Sequence, residues 1–397
     1  MPSRSRPDVR PQISNSFTHP GVARSNLLSM RIGITCYPTY GGSGIVATEL
    51  GLELANRGHE VHFISYANPI RLDPETPRIY YHEVEVSTYP LFQYPPYCLA
   101  LASRMAEVAE DYRLDLLHVH YAIPHSIAAL LAQQMTDSRR RLPFITTLHG
   151  TDITLVGLDR SYFPITKFSI EKSNGVTSIS ENLRQHTLEV FGVRNEIRVI
   201  YNFVNADLYK PCAARNRDRK RLVHISNFRP VKRVLDCLHI LAEVRKHVDA
   251  VLYMIGDGPE RGPAQRLARE LGLDSHVVFL GKQDHVERLI PLNDVLLLPS
   301  EMESFGLAAL EGMACGVPPV ATRVGGVSEL VTDGVDGFLE QVGDISAQAS
   351  RAVELLSDHS KHSRMSEAAR HSAVTRFSTD LIIPQYERYY AELCSAQ

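Results

Sequence analysis

Two glutamates set eight residues apart, Glu303 and Glu311, carry the densest chemistry in the chain. They lie between Pro299 and Pro318, directly after the apolar run Val295–Leu298. That run reads as a buried strand that stops at Pro299, and Ser304, a good N-cap type, reads as the start of a helix. The amides of Phe305, Gly306 and Leu307 are then unpaired helix-start donors, suited to a sugar oxygen or a phosphate. Glu303, just outside the helix, can accept hydrogen bonds from a sugar at the helix mouth. Glu311, inside it, can accept them from a ribose diol alongside. The competing reading is an ordinary strand–loop–helix with solvated glutamates, which the joint pattern disfavours.

A basic loop, Ser226 to Arg233, holds Asn227, Arg229 and Lys232 directly after another predicted strand. Cations at that place suit a departing diphosphate, on which negative charge develops. A surface basic cluster is the alternative. In the first half, Gly41-Gly-Ser-Gly44 allows the backbone to come close to a ligand at Gly42, and Ser43 adds a hydroxyl. Two further strand exits carry His120 and Tyr121, and Thr147, His149 and Thr151. In a parallel sheet the ligand crevice lies at the carboxyl ends of the strands, where all five fall. A single histidine there is usually structural, but two such exits together favour a site.

The elements that must hold these residues read as two copies of one α/β architecture. The first opens with strand Arg31–Cys36, a glycine-rich loop, helix Ile45–Arg57 and strand Val61–Ser65, as in doubly wound nucleotide-binding domains. It lacks Gly-x-Gly-x-x-Gly spacing and an acidic residue closing the second strand, so an oxidoreductase reading is weak. Helix Cys98–Tyr112, strand Leu114–His118, strand and exit Pro143–Thr154, and strands Val176–Ser180 and Ile197–Tyr201 complete that half. The aromatic, proline-rich passage Tyr89–Tyr97 is expected to be an irregular connection beside the cleft whose aromatics are local core. Strands Leu222–Ser226, Ala250–Ile255, Val277–Leu280, Val295–Leu298 and Val317–Ala321 repeat the pattern, with Leu235, Leu238, Leu241 and Val244 one turn apart on a helix Val234–His247. The expected division is 30–205, 206–377 and a terminal helix within 378–397. The charged stretch Arg215–Arg221 reads as a linker or a solvated domain start. Residues 1–29, rich in Arg, Ser and Pro, read as a disordered extension or as the product of a start codon placed before the true start, Met30.

Composition narrows the function. Hydrophobic content of 44% with 22% charged residues is that of a soluble globular protein. A net charge of −3 provides no general pull toward nucleic acid or an anionic membrane, and no apolar stretch reaches bilayer length. Six scattered cysteines without a Cys-x-x-Cys pair suggest reduced, mostly buried thiols in the cytoplasm. No His-Glu-x-x-His or Asp-x-Asp spacing appears, so no metal or other cofactor is expected.

The Glu303/Glu311 cluster through Gly316-Val-Pro318 resembles the Glu-x7-Glu signature of retaining glycosyltransferases of family 4. The resemblance implies the GT-B fold: two Rossmann-like doubly wound domains facing across a cleft, with the last helix crossing back to the first. Family 4 usually carries an Arg-x4-Lys pair in the basic loop. Lys232 matches the lysine, whereas Asn227 stands at the arginine position, with Arg229 two residues on. Together with the loops at Tyr37–Gly44, His118–His125 and Thr146–Thr154, this departure is similar to the branch that makes N-acetylglucosaminyl malate for bacillithiol biosynthesis. The likeness runs from about Met30 to the C-terminus. It implies UDP-N-acetylglucosamine as donor and L-malate as acceptor, with the α configuration retained. Glu303 would contact sugar hydroxyls, Glu311 the ribose, Lys232 and Asn227 the diphosphate, assisted by the Phe305–Leu307 amides. Arg229 is a further donor-side candidate, and His149 would lie near the transferred sugar. Ser43, Tyr121, Thr147 and Thr151 would face malate, with helix-start amides near Asp152 as a counter to its carboxylates. Asp152 is also the one acceptor-side carboxylate that could be a nucleophile; same-face attack without one is the favoured mechanism. Rival readings are a family 4 enzyme with an inositol phosphate, lipid or sugar acceptor, a nucleotide-sugar epimerase, and a non-catalytic nucleotide-sugar-binding protein. Neither nucleic acid nor an integral membrane is an expected partner, and a homo-oligomer is left open.

Overall fold

Apolar runs separated by helical segments can bury both faces of a strand, and here they build two all-parallel sheets. The computed structural model describes residues 29–73, 75–87, 89–137, 142–212 and 219–395. Residues 1–28 of the expected extension and 215–218 of the charged stretch lie outside the described residues. The first sheet contains β1 (Arg31–Thr35), β2 (Glu60–Ser65), β3 (Ile79–Glu83), β4 (Leu116–His120), β5 (Phe144–Leu148), β6 (Gly175–Ser178) and β7 (Ile197–Val199). Its strand order is β3-β2-β1-β4-β5-β6-β7. The second contains β8 (Lys220–Ile225), β9 (Ala250–Ile255), β10 (Val277–Gly281), β11 (Val295–Leu298), β12 (Pro319–Thr322) and β13 (Phe338–Glu340), ordered β10-β9-β8-β11-β12-β13. Strand order reverses between β1 and β4 in one lobe and between β8 and β11 in the other. Ligand crevices open at such reversals. The loops leaving those four strands carry most of the residues whose types suggested chemistry, and His149 and Thr151 leave the neighbouring β5.

The lobes share a core. Phe305 of the second lobe packs against Phe377 and Tyr201, with ring centroids 5.6 and 6.0 Å away. The last helix, Thr379–Ser395, returns to the first sheet and buries Tyr386 and Tyr390 there. The Tyr390 hydroxyl lies 2.7 Å from His118 Nδ1, and Glu387 lies 3.1 Å from His59. All six cysteines are free thiols, with Cys36, Cys237 and Cys315 buried.

Several local expectations are corrected. The helix expected from Ile45 begins at Gly42, because the turn Tyr37–Gly41 closes on itself and Gly41 caps it, with Ile45 N donating to Gly41 O at 3.1 Å. Tertiary closure overrides the poor helix propensity of glycine. The strand expected at Leu114–His118 runs two residues later. Arg113, at φ 53°, ends the preceding helix, and β1 sets the register by pairing Ile32 with Leu116. His120 is therefore a buried strand residue rather than a loop residue. The Tyr89–Tyr97 aromatics are not core: Tyr94 and Tyr89 are 79% and 56% exposed. Pro90, Pro95 and Pro96 hold the segment away from the sheet, and Tyr97 alone turns inward, edge-on to Tyr66. The edge strands β3 and β13 were missed by the sequence reading: β3 mixes buried and exposed residues and ends in His82 and Glu83, and β13 is only three residues long.

Candidate active site

A cavity opens between the lobes where the strand-order reversals face each other. Tyr40, Gly41 and Gly42 line it from the first lobe, and Asn227, Lys232, Glu303, Leu307 and Glu311 from the second. Lys232, at the end of the 3-10 turn Pro230–Lys232, donates from Nζ to Glu303 Oε1 at 2.7 Å. Ser300 Oγ donates to the same oxygen at 2.8 Å, which leaves Oε2 without a partner among these bonds. Behind them His224 bridges Leu297 O and Ser226 Oγ at 3.0 and 2.8 Å, and burial pushes its pKa down to about 4. It stays neutral and ties the basic loop to β11.

The helix after β11 starts at Leu307, not Ser304. Phe305 is drawn into the core, so the chain must turn at Gly306, whose φ of 93° suits glycine, before the helix can begin. Phe305 and Gly306 therefore stand behind the cavity wall, while Leu307 and Ala308 present the first turn to it. Glu311, one turn further, accepts from the Tyr209 hydroxyl at 2.8 Å. Arg71 of the first lobe reaches that hydroxyl at 3.2 Å and Glu49 at 3.4 Å. Burial raises the Glu311 carboxyl, and the Arg71 charge works against that rise. Sequence reasoning missed Tyr209, Arg71 and Ser300; no periodicity marks residues recruited from three separate loops.

In the first lobe, beside the cavity but not among the residues that line it, the Tyr121 hydroxyl is hydrogen-bonded to Thr151 and interacts with Ser43, gathering three of the expected acceptor-side residues. His149 stacks beside Tyr121 at 5.8 Å and shares a 2.8 Å contact from Nε2 to His120 Nδ1. Burial pushes the His149 pKa down to about 3, so its imidazole is neutral. Asp152 holds this wall together. Its Oδ1 accepts from the amides of Gly150 and His149 at 2.8 and 3.2 Å, and its Oδ2 from Ala122 at 3.0 Å. A carboxylate so occupied ties the β4 exit to the β5 exit and is not a free nucleophile. The helix expected near Asp152 starts at Thr151, but its four residues are too short to act as an anion-binding start.

Thr147 does not reach the cleft. It sits within β5, fully buried, with its hydroxyl 2.7 Å from His118 Nε2 and 2.6 Å from Thr177 Oγ1. Strand alternation places its side chain on the face that the C-terminal helix covers. Arg229 is exposed and outside the cavity wall, unlike its neighbours Asn227 and Lys232. The two walls meet closely: a Cβ added to Gly150 would lie 1.7 Å from Ser304 Oγ. At the cavity mouth, Tyr40 donates to Asp284 at 2.7 Å, and Lys282 lies 5.3 Å above its ring.

Comparison with known proteins agrees with this geometry. Residues 40–208 match the description Glycosyltransferase Family 4, and residues 207–372 match Glycosyl transferases group 1. The chain is 48% identical over 374 residues to the N-acetyl-alpha-D-glucosaminyl L-malate synthase of Bacillus anthracis, covering 92% of this chain and 98% of that one. It is 30% identical to an uncharacterized glycosyltransferase of Methanocaldococcus jannaschii, over 72% of this chain and 78% of that one. Among solved structures, a glycosyltransferase from Rickettsia africae superposes with a TM-score of 0.78 at 22% identity, covering 93% of this chain and all of that one. Anabaena HepE in complex with UDP and glucose does so at 0.76 and 21%, with the same coverage. Two facing parallel sheets, the cleft between their strand-order reversals and these matches together place the chain in glycosyltransferase family 4, with the GT-B fold.

Proposed function

We propose that this glycosyltransferase moves N-acetylglucosamine from UDP-N-acetylglucosamine to the hydroxyl of L-malate with retention of the α configuration, the first step of bacillithiol biosynthesis. The observation that carries the proposal is the meeting of two unlike walls across one cleft. The Lys232–Glu303 pair and a helix start stand on one side. The hydroxyls of Ser43, Tyr121 and Thr151 stand beside neutral His149 on the other. The name of the 48% identical relative supports the choice of substrates.

Lys232 and Asn227 hold the diphosphate, Glu303 the sugar hydroxyls through its remaining oxygen, and Glu311 the ribose. The first-turn amides at Leu307 and Ala308 and those at Gly42 add donors aimed at phosphate oxygens. Malate lodges against the hydroxyl cluster. Retaining hydrolases place a carboxylate nucleophile about 5 Å from their acid. Asp152 is committed to three backbone amides. Same-face attack needs no such group. The bond from the anomeric carbon to the phosphate oxygen breaks, and the bond to the malate oxygen forms. The malate hydroxyl proton passes to the departing phosphate, whose charge Lys232 stabilises. No step requires a metal or other cofactor. Because His149 is neutral, it can hydrogen-bond the sugar without adding charge beside the developing cation.

No helix among the described residues is long and apolar enough to cross a membrane. The test is UDP release by the wild-type protein against a panel of hydroxy acids, inositol phosphate and sugars, with product analysis. Turnover with L-malate and an α-linked product is expected. Faster turnover with another acceptor, free UDP without a glycoside, or tight UDP binding without turnover would each replace this reading.

A further inference from the structure

Groups from both lobes converge on Glu311, and what each can donate fixes the direction of the hydrogen bonds. Tyr209 is tied to the second lobe: Arg370 Nη1 donates to its carbonyl and to that of Ala314, the last residue of the Glu311 helix, at 2.6 Å each. The Tyr209 hydroxyl donates to Glu311 Oε1 at 2.8 Å. Arg71, between β2 and β3, and Glu49, on the helix Gly42–Asn56, come from the first lobe. Arg71 Nη1 donates to the Tyr209 hydroxyl oxygen at 3.2 Å and to Glu49 Oε1 at 3.4 Å. The bond from Arg71 to Tyr209 therefore crosses from one lobe to the other.

A guanidinium carries donors only, so the Tyr209 oxygen must accept from it and turn its own hydrogen toward Glu311. That engages Oε1 as an acceptor, while Oε2 has no partner among the hydrogen bonds of the described residues. Glu311 and Arg71 line the cavity, whereas Tyr209 stands behind the lining. Burial raises the Glu311 carboxyl; against it act first the Arg71 charge and then the Tyr209 hydrogen bond, while Glu49 and Glu287 add repulsion. With Arg71 removed, the carboxyl is drawn toward its protonated form and the hydroxyl is free to turn. Glu311 would then present a donor where the hydroxyls of a diol need an acceptor.

Resting on the function proposed above, we propose that Arg71 and Tyr209 are positioning residues for the donor ribose: Arg71, brought by the first lobe, turns the Tyr209 hydroxyl onto one oxygen of Glu311 and keeps the other free to accept from the ribose diol. Recognition of the nucleotide by the second lobe is then completed only where the first lobe meets it.

The test measures the Kd of UDP and of 2′-deoxy-UDP, which lacks one hydroxyl of the diol, by calorimetry on the full chain carrying Arg71→Gln, Arg71→Lys, Tyr209→Phe or Glu311→Gln. The wild type should prefer UDP by about 10-fold or more, because a site built to accept from a hydroxyl rejects the analogue lacking it. Arg71→Gln and Tyr209→Phe should each weaken UDP by about 5- to 10-fold and leave 2′-deoxy-UDP within about 2-fold, so that the preference collapses. Arg71→Lys, which still donates and still carries charge, should restore part of it. Adding Tyr209→Phe to Glu311→Gln should cost nothing further, since the hydroxyl acts only through the carboxylate. Tyr209→Phe keeps the ring and its packing, so it tests the idea even where loss of the Arg71–Glu49 pair harms folding. An unchanged preference in both Arg71→Gln and Tyr209→Phe would overturn the inference. Equal weakening of the two nucleotides by Arg71→Gln, with Tyr209→Phe silent, would assign Arg71 to direct contact with the diphosphate and overturn it as well. Either result, alongside wild-type turnover with L-malate, would leave the proposed function standing, whereas a wild type that binds no UDP would remove both.

Discussion

The second-lobe wall of the cleft is made of charge: Lys232 and Glu303 in contact at 2.7 Å, and Glu311 within reach of the Arg71 charge. The first-lobe wall is made of groups that burial has neutralised. His118 and His149 are pushed down to about 3 and His125 to about 4, His120 lies well below its usual value, and hydroxyls fill the space between. The difference follows from what each wall faces in the proposed reaction. A diphosphate gains charge as it leaves, so fixed charge near it acts in the transition state. An attacking hydroxyl needs orientation, and a charged histidine beside a forming carbocation would oppose the reaction. The second lobe can afford partly exposed ions, whereas the first depends on a dry hydrogen-bonded interior.

The contrast predicts where each wall fails. Lys232→Ala and Glu303→Ala should each lower kcat by about 10²- to 10³-fold with little change in melting temperature. Near-wild-type turnover in either would remove the charged wall from the chemistry.

Acidification should damage the first lobe most. A histidine with a usual pKa near 6.5 and a folded value of about 3 leaves the unfolded chain binding more protons between those limits. Stability from His118 and His149 is therefore full above pH 6.5 and declines as pH falls toward 3. At pH 5 each should cost about 2 kcal/mol, read as a falling denaturant midpoint. A midpoint constant from pH 7 to 5 would contradict the neutral wall, and His118→Gln should flatten the slope.

Asp152→Asn replaces a carboxylate that accepts from three amides with a group that also donates. The loss should be about 2 kcal/mol of stability together with reduced kcat, because the two strand exits are no longer tied. Unchanged stability would mean that the exits hold without it.

Thr147→Val and Tyr121→Phe divide the same wall into interior and surface. The first should cost about 1 kcal/mol of stability with the malate KM unchanged; the second should raise the malate KM several-fold with the melting temperature kept. The reverse outcome would restore Thr147 as an acceptor residue. Smallest of all, Tyr40→Phe removes one exposed contact to Asp284 and should change the donor KM by about 3-fold or less.

Much of the frame was legible in the chain. Strands Ala250–Ile255 and Val295–Leu298 stand where their apolar runs placed them, and the two-lobed α/β plan follows from repeated strand–helix alternation. Boundaries were less legible wherever two neighbouring positions satisfied the same pattern. Leu114 and Leu116 are equally good strand starts until β1 selects one of them. Ser304 is a better N-cap type than Gly306 until Phe305 is pulled into the core.

What the sequence by itself determined was the identity of the charged groups in the second lobe. Glu303, Leu307 and Glu311 belong to a single strand–loop–helix, where spacing alone puts them on the same wall. Only the tertiary structure decided that Glu311 answers to Tyr209 and Arg71, that Asp152 ties two loops together, that Thr147 faces inward and that Arg229 is exposed outside the cavity lining. Backbone periodicity settles which residues share an element. Which side chains meet across elements depends on how distant segments pack, and no spacing within one segment records that.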